Sequence, residues 1–378
     1  QGCDFVYDGT SYTKLDPPAA FALIDADGHA EIPDGYTRIG ADAFRDTDLR
    51  SVTIPDSVTS IEEYAFYNTE LTSVTIPASV TSIGEYAFQG VCDWHYGQYT
   101  SYEVCRKLDE VIFANGSQLE TIEYGSFSNN NLTSLDLPDS VTSIGDSAFS
   151  SNHNLVAIDF GESLVSIESY AFQGCSSLTT ITLPNTLERI GYGAFAYTSL
   201  TSLVIPDSVS NIDWYAFGEP DDSENNKQLE SVVIGDSLES IPGDLFANQR
   251  NLHTVVIGDS VTVIGDNAFK GAPISSLILG ASVTSIGENA FKGAPISSLI
   301  LGASVTSIGE DAFNGVDGDV YILKPAQENF DIYDFSSMAT VFACDSLDDA
   351  GMPQGCDFVY DGTSYTKLDP PAAFALID

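Results

Sequence analysis

Apolar residues recur along this chain with one spacing. In Leu71-Thr-Ser-Val-Thr-Ile-Pro-Ala-Ser-Val-Thr-Ser-Ile-Gly-Glu-Tyr-Ala-Phe88 they occupy Leu71, Val74, Ile76, Val80, Ile83, Ala87 and Phe88. The pattern returns twelve times, with Phe at 44, 66, 88, 127, 149, 172, 195, 217, 246, 269, 291 and 313 and a usual step of 22 or 23 residues. A period of that length marks a solenoid, whose units bury a face only against their neighbours. Leu71 to Ile76 is rich in β-branched residues and is closed by Pro77, so it predicts a short strand that the proline ends. Stacked units then form a parallel sheet, and at roughly 4.7 to 4.9 Å per strand twelve turns predict a rod on the order of 60 Å long. An Ile column from Ile39 to Ile308 and the Phe column form the core, and a short helical turn is expected to lead into each x-x-Ala-Phe. Ser126 and Leu245 depart from the Ala position before Phe, and both lie beside insertions.

The run I-P-x-S-V-T-S-I-G-x-x-A-F resembles the BspA-like class of leucine-rich repeats over roughly residues 27–323. The resemblance implies an α/β solenoid of about twelve turns, with a parallel β-sheet, short helical turns on the other face and β-rich caps. It also implies a curved scaffold used at cell surfaces for adhesion or display, and no chemistry.

The ends and two interruptions lie outside the pattern. Residues 1–26 carry Asp8-Gly9 between alternating residues, a hairpin signal, and then Pro17-Pro18 before Phe21-Ala-Leu-Ile, which together predict a cap over the first turn. Asp25-Ala-Asp-Gly-His-Ala-Glu31 has the flavour of a calcium loop but lacks the ligand spacing of an EF-hand, so a turn is expected. Insertions fall near 90–106 and 218–228. The first gathers Trp94, His95, Tyr96, Tyr99 and Tyr102 and is a candidate contact loop, since aromatic loops on a rigid scaffold are favoured contact surfaces; the alternative is that its rings pack against the solenoid. The second is polar and acidic and predicts a solvated loop. After Phe313, a last strand near 319–323 leads to a terminal cap at 324–344, a linker at 345–355, and residues 356–378, which copy 3–25.

Charge narrows the function. With 13 basic and 55 acidic residues the formal net charge is −42, which excludes nucleic acid as a natural partner. Apolar residues make up 43% of the 378, normal for a folded chain, and no apolar run approaches the roughly 20 residues of a membrane span. Acidic residues recur in register: Asp56, Asp139, Asp207, Asp236 and Asp259 after the strand, and Glu85, Asp146, Asp266, Glu288 and Glu310 after the Ile-Gly pair. The second column is expected to cap the short helical turn; relief of stacked like charges by calcium is the alternative, and no other cofactor and no dedicated metal site is expected. Four histidines at unrelated places, no glycine-rich phosphate loop and no zinc spacing of Cys argue against an enzyme.

Cys92 and Cys105 bracket the first insertion, either as a bridge or as two free thiols, and Cys344 and Cys356 flank an acidic stretch they would staple. Cys3 would then pair with the equivalent of Cys344 in a preceding unit, while Cys175 is expected to be a small buried residue. Bridged loops point to an extracellular or cell-surface setting. Asn115-Gly-Ser117 and Asn131-Leu-Thr133 are sequons, making Asn115 and Asn131 glycosylation candidates.

Residues Gln354–Asp378 repeat Gln1–Asp25 without a change over 25 positions. One period of a longer tandem array is therefore expected, with solenoid beads linked in series, because a head-to-tail contact that does not close propagates as a filament. The leading expectation is a structural repeat of an extracellular filament or appendage whose partner is itself, head to tail. The second is an adhesin that binds glycans or other surface proteins.

Overall fold

The computed structural model describes residues 14–96, 101–218, 228–316, 318–323, 340–344, 346–347, 353–354, 358–360 and 365–367. Contacts divide the chain into two units, 1–200 and 201–378, each built from the same turn.

In the first unit the Ile column is itself a parallel ladder. Arg38–Ile39, Ser60–Ile61, Ser82–Ile83, Thr121–Ile122, Ser143–Ile144, Ser166–Ile167 and Arg189–Ile190 pair in sequence with Ile opposite Ile. The longer strands form a second set in parallel pairs: His29–Glu31 with Ser51–Thr53, Ser73–Ile76 with Glu110–Phe113, and Ser134–Asp136 with Ala157–Asp159. The Val and Ile of each strand alternate inward, as Ser73–Ile76 shows with Val74 and Ile76 buried between exposed neighbours.

The Phe segment forms a third ladder, and here the expected helical turns are corrected. Among the described residues the one helix is Pro17–Phe21. Around most Phe positions the chain holds left-handed residues two before and two after, such as Asp42 and Asp46 (φ 57° each), Tyr64 and Asn68 (54° each), and Ser147 (56°) and Ser151 (60°). A right-handed helix cannot accommodate them. The N–H groups instead reach the next turn: those of Asp42, Phe44 and Asp46 donate to the carbonyls of Glu63, Ala65 and Tyr67 at 3.1, 2.8 and 3.0 Å. The pattern recurs from turn to turn, so a segment without helix or strand still satisfies its backbone.

That ladder fixes the aromatic core. Phe44 to Phe195 stack with centroids 4.9 to 5.5 Å apart and planes within 9° of parallel. The Ala before Phe is fully buried in most turns. Ser126 replaces it by donating its hydroxyl to the Glu123 carbonyl at 2.6 Å and the Gly84 carbonyl at 3.2 Å.

The second unit repeats the scheme. Ser202–Ile205, Ser231–Ile234, Thr254–Val256 and Ser276–Ile278 pair in parallel, as do Ser240–Ile241, Val263–Ile264, Ser285–Ile286 and Ser307–Ile308. Phe217, Phe246, Phe269, Phe291 and Phe313 stack at 5.1 to 6.0 Å. Its last sheet runs Ser298–Leu301, Asp319–Leu323 and Thr340–Cys344 in parallel, then turns antiparallel through Phe358–Tyr360 and Tyr365–Lys367.

Candidate functional site

The consensus P-D-S-V-T is a set of bonds between turns. Asp207 accepts the N–H of Asp236 at 3.0 Å, Asp236 that of Asp259 at 2.8 Å, and Asp259 that of Ala281 at 2.9 Å. The Ser donates to the turn before, as Ser79 does to the Val58 carbonyl at 2.7 Å. The Thr does so twice: Thr81 reaches the Thr59 carbonyl with its N–H at 2.8 Å and its hydroxyl at 3.1 Å. In the second acidic column, Asp146 accepts the N–H of Ser169 and Asp266 that of Glu288, both at 2.8 Å. The expected helix caps are therefore caps for the neighbouring turn. Among the described residues, no group of three or more His, Cys, Asp or Glu side chains could hold a metal ion.

The first insertion is an antiparallel hairpin, Val91–Tyr96 with Ser101–Arg106, in which Cys92 faces Cys105, Trp94 faces Glu103 and His95 faces Tyr102 in the register. Cys92 is disulfide-bonded. Tyr99 lies outside the described residues. So do Cys3 and Cys356, while Cys344 is fully buried and disulfide-bonded.

The two sequons differ. Asn115 is exposed in the turn before Ser117, whereas Asn131 is half-buried and donates its amide to Asp109 at 3.4 Å.

The structure assembles three groups that the sequence pattern left apart. Tyr64 and Tyr86 stack at 5.1 Å, Tyr124 meets Tyr86 edge-on at 5.0 Å, and the Arg45 guanidinium lies 4.8 Å from the Tyr64 centroid and 4.9 Å from that of Tyr67. The hydroxyl bond to Tyr124, with burial, pushes the Tyr86 phenol up to about 12. Four of these residues lie just before or after the Phe column, so their periodicity was visible though their joint surface was not. One turn places Ser51 beside His29, with Oγ 2.8 Å from Nδ1, and Glu31 3.5 Å from Nε2. All three side chains face solvent, which gives a serine nucleophile no shelter from water. Finally, an open, mainly apolar cavity of about 570 Å³ lies between two successive turns of the second unit, lined by Leu277, Ile278, Leu279, Ser298, Ile300 and Val305 among others.

A stack of short parallel ladders around columns of Ile and Phe defines a leucine-rich-repeat solenoid. The profile of the BspA type leucine rich repeat region matches residues 19–96, 95–223 and 220–341. The chain belongs to that family. A leucine-rich repeat protein from Bacteroides ovatus ATCC 8483 is 25% identical, with a TM-score of 0.56 and 83% of each chain covered. The pneumococcal vaccine antigen PcpA is 18% identical, with a TM-score of 0.44, covering 89% of this chain and 80% of that one. A leucine rich cell surface protein from Faecalibacterium prausnitzii A2-165 is 20% identical, with a TM-score of 0.38, covering 92% of this chain and 96% of that one. No curated protein matches. No helix among the described residues is long and apolar enough to cross a membrane.

Proposed function

We propose that the chain is a structural repeat of an extracellular filament or surface appendage, a leucine-rich-repeat bead joined head to tail to others like it. The observation that carries this reading is the 25-residue identity of Gln1–Asp25 and Gln354–Asp378, together with the pairing of Phe358–Tyr360 from the second copy onto Thr340–Cys344 of the last turn. The bonded state of Cys92 and Cys344 supports an oxidising, extracellular setting. Cys105 is the partner we assign to Cys92, which it opposes in the hairpin register, and Cys356 the partner we assign to Cys344, because antiparallel pairs on either side join 341–343 to 358–360 and 346–347 to 353–354. A Cys3 to Cys344 bridge within one bead is the competing assignment, and peptide mapping without reduction separates the two. Asn115 is the sequon we expect to carry glycan.

Electron microscopy of native material tests the main reading. Threads with a regular axial repeat are expected; particles that are all single beads would sink it. The tyrosine and arginine ledge around Tyr86 supports a second reading, an adhesin for glycans or surface proteins, since stacked rings with a cation suit sugar faces and aromatic side chains. On that reading Tyr86→Ala reduces glycan-array or cell binding at least about tenfold, about 1.4 kcal/mol, with the fold intact.

A further inference from the structure

The two copies of the 25-residue segment are described at complementary places. In the first copy, residues 14–25 finish the first turn of a solenoid. Leu15 is fully buried, its N–H donates to the Arg38 carbonyl at 2.9 Å, and its carbonyl accepts from Gly40 at 2.8 Å. The helix Pro17–Phe21 buries Ala20, Ile24 bridges to Ala30, and Lys14 pairs with Asp16 at 3.0 Å and Glu62 at 3.3 Å. In the second copy, Phe358–Tyr360 and Tyr365–Lys367 finish the last turn of a solenoid. They pair with each other, and the first of them joins Thr340–Cys344 through Val341↔Tyr360, Phe342↔Val359 and Ala343↔Phe358.

These roles use different residues. The second-copy strands correspond to Phe5–Tyr7 and Tyr12–Lys14, so the hairpin ends at the counterpart of Lys14, the residue immediately before the bridging Leu15. This position is compatible with both, because the hairpin uses the backbone of Lys367 and the first-turn ion pairs use the side chain of Lys14.

We propose that this segment is a two-faced connector. Its first 14 residues add a hairpin to the open sheet edge of one solenoid, and the following 11 seal the first turn of the next, with no free linker between them. The partner is a second solenoid of this same sequence, and the inference rests on the tandem-bead reading. A parallel solenoid leaves an unpaired row of N–H and C=O groups at each end. One segment that satisfies both rows converts two exposed edges into a joint, by strand addition on one side and a buried Leu on the other. Anchors on consecutive residues leave one peptide bond between the beads, so the joint is stiff.

A two-period chain, in which the sequence continues past Asp378 with a further copy of residues 26–378, tests the proposal. Spin labels are placed at the exposed Val204 position of the first bead and the exposed Val156 position of the second. One narrow distance distribution is expected; a broad one like that of a flexible linker overturns the proposal. Leu368→Asp in the internal connector is expected to broaden the distribution at least threefold while both solenoids still melt cooperatively; an unchanged width shows that the lid half is not an anchor. The double variant Phe342→Cys, Val359→Cys of the unextended chain is expected to cross-link between these paired positions under mild oxidation, and failure to do so removes the hairpin half. A stiff joint in this chain beside native single beads would keep the connector and discard the filament. Native threads with a flexible joint would do the reverse.

Discussion

Three residues after most Phe positions stands a buried or half-buried hydrogen-bond donor that holds the inside of the turn. Asn130 donates its amide to the Phe88 carbonyl at 2.8 Å and the Phe127 carbonyl at 3.0 Å, while its oxygen accepts the N–H of Leu108 at 2.9 Å. Asn152 does the same for Phe127, Phe149 and Leu132, and Thr69, Thr198 and Gln249 do part of it. Asn152→Ala strands buried groups at about 1 to 3 kcal/mol each, whereas Thr142→Val removes only the exposed bond its hydroxyl donates to the Glu120 carbonyl at 3.2 Å, worth about 0.5 to 1.5 kcal/mol. Chemical denaturation should therefore rank the first loss clearly above the second; equal losses would mean the Asn column is not structural. Cys175 stands in this column as a weak donor to the Phe149 carbonyl at 3.4 Å, and burial pushes its thiol up to about 12. It should resist iodoacetamide at pH 8 in the folded protein and react on unfolding; labelling of native protein would refute its placement. The Phe, Ile and Val columns were legible because one residue type repeats at each. This column was not, since Thr, Asn, Cys and Gln share only the capacity to donate.

Elements were legible where a strand carries alternating burial, and misread where the chain turns. Nothing in the sequence before Phe marks the turn, because Tyr64, Tyr86, Tyr170 and Tyr215 rather than glycines occupy its left-handed positions, with φ of 53 to 59°, which ordinary residues avoid at roughly 1 to 2 kcal/mol each. The interturn ladder around Phe, invisible to local propensity, offsets that strain. The hairpin 91–106 depends on itself in a different sense, since its two strands form a sheet of their own. Two-stranded hairpins are marginal alone, and a bridge closing a loop of about a dozen residues is worth about 3 kcal/mol in the chain-entropy model. Reduction should then expose the hairpin to proteolysis while leaving the main melting transition in place; a large drop in Tm would show that the solenoid leans on it. At the first turn, Asp25 accepts the N–H groups of Asp27 and His29, each at 2.9 Å, and the His29 bond holds its carboxyl below its ordinary value. A group depressed on folding stabilises above its unfolded pKa and loses that contribution as pH falls through the lower folded value. The difference in Tm between the parent and Asp25→Ala should be present at neutral pH and close below about pH 4; a gap that widens in acid would contradict the cap.

For the whole molecule the deciding quantity is a net charge of −42. The acidic columns place carboxylates one turn apart, about 4.8 Å, where two like charges repel by about 0.9 kcal/mol in water. Each carboxylate that accepts a backbone N–H, as Asp236 does from Asp259, recovers more than its nearest neighbour costs, since a bond to a charged group is worth roughly 1.5 to 3 kcal/mol. The local geometry is thus favourable at each such bond, while the longer-range repulsion summed over the chain remains uncompensated by 13 basic residues. Salt shortens the reach of that sum from about 30 Å at 0.01 M to about 8 Å at 0.15 M but leaves the hydrogen bonds intact. Stability should accordingly rise with sodium chloride, steeply at first and then level off. Divalent cations should act in the same direction at lower concentration, without the saturating stoichiometry of a dedicated site. A Tm that is flat or falls between about 0.01 and 0.15 M salt would mean that the columns are neutralised within the fold. A sharp calcium-specific rise with integral stoichiometry would mean that they bind the ion as ligands, and calorimetric titration in the same buffers separates these outcomes.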